Sequence, residues 1–444
     1  MRIFWACAGL ALVAASAWQL AIATSPHPSA ARFVAAQLVA GGVYLGAVHA
    51  ALKRPQSLSL KYVFLIAIAS RLVLLPSSPL FDDDIHRYLW DGKVLAHGTN
   101  PFLYAPAADE LAHLRDANWA GIGYPDIRTI YPPVAQAIFG LAYVVGARTA
   151  PALKSVFFLF DMANVLLVAA LLGIAGRPRS WAMTYAWSPL VAKECANSGH
   201  VEPVMLFFLL LAFYLWLRSK PASRSAGMSF GAALSTKFVP ALLAPIAWRL
   251  GGWRTLAWAA GLLVLSYLPF AGAGARLFSG AGEYARRWSF NYSVFGALSW
   301  AQSRLLADAD GLPVSPARLL VALAIIAYAI TAVRGVVPSD AAGVMRVSRN
   351  VLAVCLLLAP TVDPWYVCWL LPFLAVAPSA GLLVFAVTCN LSYLYYVHQT
   401  FPVWIPVTEY APVCLTLMAE GVRARRAAII GDVAREARAT AAAE

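Results

Sequence analysis

Charge is what this chain has least of. Only 12% of its 444 residues are Asp, Glu, Lys or Arg, about half the share of an ordinary globular domain. With 61% hydrophobic residues, that excludes a soluble protein and leaves a polytopic membrane protein. The six cysteines form no CxxC pair and no cysteine-histidine spacing, so no zinc motif is present. Cys7, Cys195, Cys355, Cys368, Cys389 and Cys414 lie in or beside apolar segments and read as small buried hydrophobes. No internal repeat is visible, and no second soluble domain follows the apolar body, which takes in residues 1–420.

The charge that exists is mainly basic, with a net value of +13. It comes in short clusters between apolar runs: Lys53, Arg54 and Lys61; Arg218, Lys220 and Arg224; Arg423, Arg425 and Arg426. This matches cytoplasmic membrane loops rather than a nucleic-acid surface. Counting apolar runs of span length predicts an all-α fold with about 11 to 13 transmembrane helices. The run 180–217 is broken by Lys193-Glu194-Cys195-Ala196-Asn197-Ser198-Gly199-His200, a turn between spans or a broken helix lining a cavity. The first apolar run continues to Thr24, longer than a cleaved leader, and reads as a retained span. With Arg2 inside, the loop 77–131 faces outward. One run between 133 and 217 must then be interfacial or re-entrant, since its flanking basic residues cannot all be cytoplasmic. The tail 421–444 is short, basic and rich in Ala.

Against this background the run Asp82-Asp83-Asp84, directly after an apolar segment, stands out. Carboxylates at a membrane edge are costly and mark a functional site. Asp83 and Asp84 are candidates for a general base that takes the proton of an attacking hydroxyl. No metal is assigned, a divalent cation on the carboxylates being the second reading. Asp84, Arg87, Tyr88 and Asp91 have helical spacing, which predicts a short interfacial helix carrying all four on one face. The rest of the loop is too aromatic for disorder and is expected to fold on the membrane surface.

Three blocks, Asp83-Asp84-Ile85-His86-Arg87-Tyr88-Leu89-Trp90-Asp91-Gly92, Gly98-Thr99-Asn100-Pro101-Phe102 and Thr129-Ile130-Tyr131-Pro132-Pro133-Val134-Ala135-Gln136, resemble the first outer loop of GT-C glycosyltransferases. The likeness is nearest to bacterial polyprenyl-phosphate-mannose-dependent mannosyltransferases and more distant to the glycosylphosphatidylinositol mannosyltransferases. Ser198-Gly199-His200-Val201-Glu202, Ser235-Thr236-Lys237-Phe238-Val239-Pro240 and Asp363-Pro364-Trp365-Tyr366 fall where such enzymes carry similar short motifs. The resemblance implies a multi-helix fold with an outward cavity under the first loop, in the plasma membrane. It also implies hexose transfer, mannose first, from a polyprenyl-phosphate donor to a lipid or glycan hydroxyl outside the cytoplasm. Asp84 matches the position most often assigned as base, with Asp83 next. Asp82 and Glu202 depart from the pattern, related chains often showing Asn-Asp at the latter.

Such a donor needs cations for its phosphate, for which Arg286, Arg287, His200 and Lys237 are candidates. Arg87, Tyr88, Trp90, Asp91, Glu202 and Asp363 complete the expected substrate contacts. No cofactor and no nucleic acid enter this scheme, and membrane lipids surround it. A lipid-linked sugar transporter is the alternative from another class, but it predicts repeats and midplane charges. An oligosaccharide polymerase or ligase would instead show an arginine-rich loop.

Overall fold

The computed structural model describes residues 1–218, 224–305 and 314–441; Lys220 of the second basic cluster and the end of the tail lie outside them. Regular structure among these residues is helical, apart from one isolated parallel bridge between Phe290 and Thr361. Seven helical segments are long and apolar enough to cross a membrane: Arg2–Ala23, Ala30–Lys53, Ala150–Ile174, Val239–Arg287, Pro316–Gly335, Ala341–Leu358 and Ala380–His398. Ser29, Ser59, Ser315 and Ser379 start helices by accepting a hydrogen bond from a first-turn amide, which satisfies a donor the helix leaves open. Leu10, Val39, Leu159, Leu166, Val264 and Leu323 are exposed on these helices. In water such a belt would be untenable, but in lipid it is the expected surface.

Several expected spans are shorter or more broken than apolar run length suggests. Pro133–Val144 and Pro364–Val376 are short apolar helices. Of the apolar runs 226–248 and 254–272, the first is split, its start forming the separate helix Arg224–Leu234, while Val239–Arg287 is one helical run interrupted at Gly252 and Gly274, both of positive φ. Run length records hydrophobicity, whereas span length also depends on where backbone bonds are interrupted.

The most broken region is also the most buried. Residues 179–198 pass through four short helical pieces and end in a wide π-type turn, Lys193–Ser198. Gly199 closes it at φ 77°, and a Cβ there would lie 2.8 Å from Lys154 Cγ and 2.9 Å from Ile85 Cδ1. Only glycine meets both the left-handed backbone and the close approach. The freed polar groups find partners. Asn197 accepts from the Leu80 amide at 3.0 Å and donates to Ser77 Oγ at 2.7 Å and Ser78 O at 2.8 Å, while Lys154 Nζ donates to Ser77 O at 2.6 Å. The break is thereby tied to the start of the loop 77–131.

The loop 77–131 is folded, as expected, and its helix Asp84–Ala96 begins at the acid run. That helix packs on Pro133–Val144 through Gly92, where a Cβ would lie 2.5 Å from Phe139 O. Trp90, Val94, Leu111, Leu114 and Ile122 form a small core of the loop's own.

Beneath it, Arg71 and Asp161 form a buried ion pair at 3.0 Å, with Tyr185 donating to Asp161 at 2.6 Å and Arg71 to Ala186 O at 2.5 Å. Arg71→Met strands a buried carboxylate and is expected to cost about 3–5 kcal/mol. The double change Arg71→Met with Asp161→Leu should recover most of it. Thermal midpoints of the detergent-solubilised variants measure both, and an additive loss in the double variant would contradict this account.

Candidate active site

The motifs scattered along the sequence meet in one place. Ser198-Gly199-His200 comes from the broken run, Lys237 from the link after Arg224–Leu234, and Asp363-Pro364-Trp365-Tyr366 from the start of a short helix. All converge on the acid run at the head of Asp84–Ala96. Backbone contacts set the alignment: Val134 N donates to Ser235 O at 2.8 Å, bringing the Tyr131-Pro132-Pro133 turn to Ser235-Thr236-Lys237. Phe290 N donates to Pro360 O at 3.0 Å and Val362 N to Phe290 O at 2.9 Å, which draws the 288–293 segment alongside Asp363.

The three adjacent carboxylates have three different surroundings. Phe81 adopts φ 62°, a conformation costly for a bulky residue, with its ring 5.6 Å from Phe33 and 5.3 Å from Tyr396. The next residue, Asp82, turns inward: its carboxylate lies 3.4 Å from Lys193 Nζ and 3.8 Å from His200 Nε2. Asp82, which departs from the pattern of the resembling chains, is therefore an ion-pair partner with an almost fully buried side chain.

Asp84 Oδ2 lies 3.4 Å from His200 Nδ1 and accepts from Tyr88 OH at 3.1 Å, with its side chain 30% exposed. Burial pushes this carboxyl up, but the His200 hydrogen bond and charge, with Lys237, outweigh it and hold Asp84 below the usual carboxylate range. Asp83 goes the other way. Burial first, then the Asp84 and Asp82 carboxylates, push it up to about 6. Asp363 is pushed up to about 7 by burial and Asp84, against the pull of His200 and Lys237.

His200 is the centre of the cluster. Its ring stacks on Trp365 with centroids 4.0 Å apart at 21°, and Nε2 lies 3.4 Å from Glu194 Oε2. Lys193 Nζ lies 3.1 Å from the same Glu194 oxygen. Lys237 pairs with Glu202 and sits over the Tyr366 ring at 4.8 Å and the Trp369 ring at 5.7 Å. The Tyr366 and Tyr284 hydroxyls share a hydrogen bond at 2.5 Å, Tyr284 stacks on Trp288, and Tyr124 meets Trp288 edge-on. Carboxylates, cations and aromatic faces thus meet in one cluster, a set suited to a sugar bearing an anionic group.

Asp82, Glu194 and His200 each offer an atom within 4.8 Å of the others, close enough to share an ion. However, the two carboxylate oxygens facing His200 already face the Lys193 ammonium. A divalent ion would have to displace that charge, so the trio does not fit an open metal site.

Several expected substrate contacts are placed elsewhere. Trp90 is 1% exposed in the loop core. Arg87 and Asp91 pair at 2.8 Å, Arg87 donates to Ile127 O at 2.9 Å, and Gln136 donates to Asp91 at 2.9 Å. Arg87, Asp91 and Gln136 thereby hold the loop together, since a buried carboxylate needs its partners inside. Tyr88 is buried against Phe139 and Tyr131 but reaches Asp84 with its hydroxyl. Arg286 and Arg287 are 53% and 75% exposed and pair with Glu283 on their own helix, so they do not join the cluster. The residues missed are Lys193, Glu194 and Tyr393. For the first two a signal existed, since adjacent charges inside an apolar run rarely lack a role; Tyr393 has no such mark among 18 tyrosines.

No family model, no curated protein and no solved structure matches the chain.

The raised Asp83 carboxyl binds its proton more tightly folded than unfolded, so it costs stability as pH rises from about 4 through 6. Asp83→Asn removes that cost. Its thermal midpoint should exceed that of the unsubstituted protein at pH 7.5, by about 2 °C or more, and the difference should vanish at pH 4. An equal difference at both pH values would contradict the assignment.

Proposed function

We propose that this chain is a membrane glycosyltransferase of the GT-C type, moving a hexose, mannose first, from a polyprenyl phosphate to a hydroxyl acceptor outside the cytoplasm. The observation that carries the reading is the convergence, under a folded loop, of an ionised and partly exposed Asp84 with His200, Lys237 and a wall of tyrosine and tryptophan. The motif-level resemblance to polyprenyl-phosphate-mannose-dependent enzymes adds the substrate class. In this reading the 11 to 13 spans include broken and re-entrant helices, the membrane is the plasma membrane, and the loop 77–131 is outside.

The chemistry is a single displacement. The acceptor oxygen attacks the anomeric carbon, the bond from that carbon to the phosphate oxygen breaks, and its electron pair leaves with the polyprenyl phosphate. The acceptor proton goes to Asp84 Oδ, and the sugar configuration inverts. Phosphate is a good leaving group, so charge stabilisation by Lys237 and His200 matters more than protonation of the departing oxygen. Asp84 is a weak base in its ion-paired setting, which suits proton transfer late in the displacement, when the acceptor oxygen has become acidic. The lipid chain of the donor lies against the apolar belt, where no water competes.

The test is transfer by purified protein from radiolabelled polyprenyl-phosphate mannose and glucose to lipid and glycan acceptors. Asp84→Asn with intact folding should lower turnover at least about 10²-fold. Turnover at the unsubstituted rate would sink the role of Asp84, and consumption of no donor would sink the reading. Movement of lipid-linked sugar across vesicles without transfer would identify a transporter instead. Arg286→Ala should leave turnover within about a factor of two, as befits an exposed ion pair, whereas Lys237→Ala should lower it at least about tenfold.

A further inference from the structure

We propose that Glu194, locked by Lys193 and Tyr393, is a positioning residue that fixes the His200 ring so that its other nitrogen faces Asp84. The inference rests on the reading of Asp84 as the base, but its geometry stands independently. His200 has a carboxylate at each end: Asp84 3.4 Å from Nδ1, and Glu194 and Asp82 at 3.4 Å and 3.8 Å from Nε2. A ring flanked by carboxylates at both ends, at 3.4–3.8 Å, is favoured in its positively charged form. What keeps it there is Glu194. Both oxygens of that carboxylate are engaged, Oε1 by the Tyr393 hydroxyl at 2.8 Å and Oε2 by Lys193 Nζ at 3.1 Å.

Lys193 is itself fixed, bonded to Tyr393 OH, 3.4 Å from Asp82, and lying over the Tyr393 and Phe33 rings at 4.2 Å and 5.8 Å. Trp365 covers the face of the imidazole and blocks rotation out of plane. The backbone repeats the arrangement, since Glu194 O accepts from both Gly199 N at 3.1 Å and His200 N at 2.9 Å. One residue therefore holds both the ring and the chain from which the ring hangs. Lys193, Glu194 and His200 have no exposed surface, so Glu194 cannot touch a substrate and acts only through His200. The logic is that of any acid-base pair whose second member is oriented by a third group.

The charged groups facing the imidazole are Asp82 and Asp84 from the outer loop, Lys193 and Glu194 from the π-type turn, and Asp363 and Lys237 beyond Asp84. Glu194→Gln keeps the shape and removes one charge from this set.

The experiment uses full-length protein in nanodiscs with ¹⁵N-labelled histidine, the His200 signals being assigned by their loss in His200→Gln. At pH 7.5 the unsubstituted protein should show both ring nitrogens protonated, and Glu194→Gln should move them toward a neutral tautomer. Transfer by Glu194→Gln should lose at least about tenfold in kcat with donor KM within twofold, and Tyr393→Phe should shift both readouts in the same direction by less. Unchanged ring signals in both variants would overturn the proposal. So would a shifted ring with unchanged kcat. If Glu194→Gln fails to fold, Tyr393→Phe, which removes one hydroxyl, decides by the same two readouts. The ring signals need no sugar, so a protein that consumes no donor fails the functional reading alone while the Glu194–His200 coupling is still judged.

Discussion

A charge buried in an apolar protein must be matched by another, and this constraint organises the site. Asp82, Asp84, Glu194 and Glu202 are set against Lys193, His200 and Lys237 within one cluster. Each unpaired member would cost several kcal/mol, so the segments that supply them cannot move apart independently. The segments that supply them are far apart along the chain, the π-type turn and the Tyr393 helix being 200 residues apart in the Lys193–Tyr393 contact. Their charge balance draws them together more specifically than hydrophobic packing, which has no direction.

The loop 77–131 supplies the rigid half of this arrangement. Its helix is anchored by Arg87, Asp91 and Gln136, by the Tyr88 stack on Phe139, and by the close approach at Gly92. These contacts do no chemistry, yet they decide where Asp84 stands relative to His200. A site carried on a helix with locked rotamers holds geometry better than one on a bare loop. The break at Lys193–Ser198 is the complementary half, because irregular backbone at membrane depth survives only when other protein groups satisfy it. Asn197 and Lys154 do so by binding the loop's first residues, so the same contacts that make the break tolerable also register the loop above it.

Much of this was legible in the sequence, for identifiable reasons. The membrane class follows from charge poverty, the helix Asp84–Ala96 from the spacing of Asp84, Arg87, Tyr88 and Asp91, and the break at 193–200 from charges inside an apolar run. His200, Lys237 and Asp363 were singled out separately, and their convergence could not be read, since no local pattern encodes contacts across such separations. Arg286 and Arg287 were singled out because their aromatic neighbours suggested a phosphate site, but they stand apart from the cluster. Their helical spacing to Glu283, which would have paired them on the surface, was the better guide. Trp90 and Asp91 misled because polar and aromatic residues in a short loop look exposed until the loop is known to have a core of its own. Span counting was the least legible part, since helices interrupted at Gly199, Gly252 and Gly274 do not follow apolar run length.

Three consecutive aspartates show how little identity alone says about role. Asp82 is turned inward by the left-handed Phe81 and becomes an ion-pair partner of Lys193. Asp83, beside Gly123 where even a Cβ would lie 1.9 Å from its carboxylate, gains no cation and bears the repulsion of both neighbours. Asp84 takes the first helical position and meets His200. The same side chain is thus placed as counter-ion, proton holder and candidate base within three residues. Repulsion among the three separates them, because the negative charges of Asp84 and Asp82, each faced by a cation, make ionisation of Asp83 harder. Without Lys193 and His200, the run would have to bind protons or turn to water, and the cluster would lose the ionised carboxylate that is both held and partly exposed.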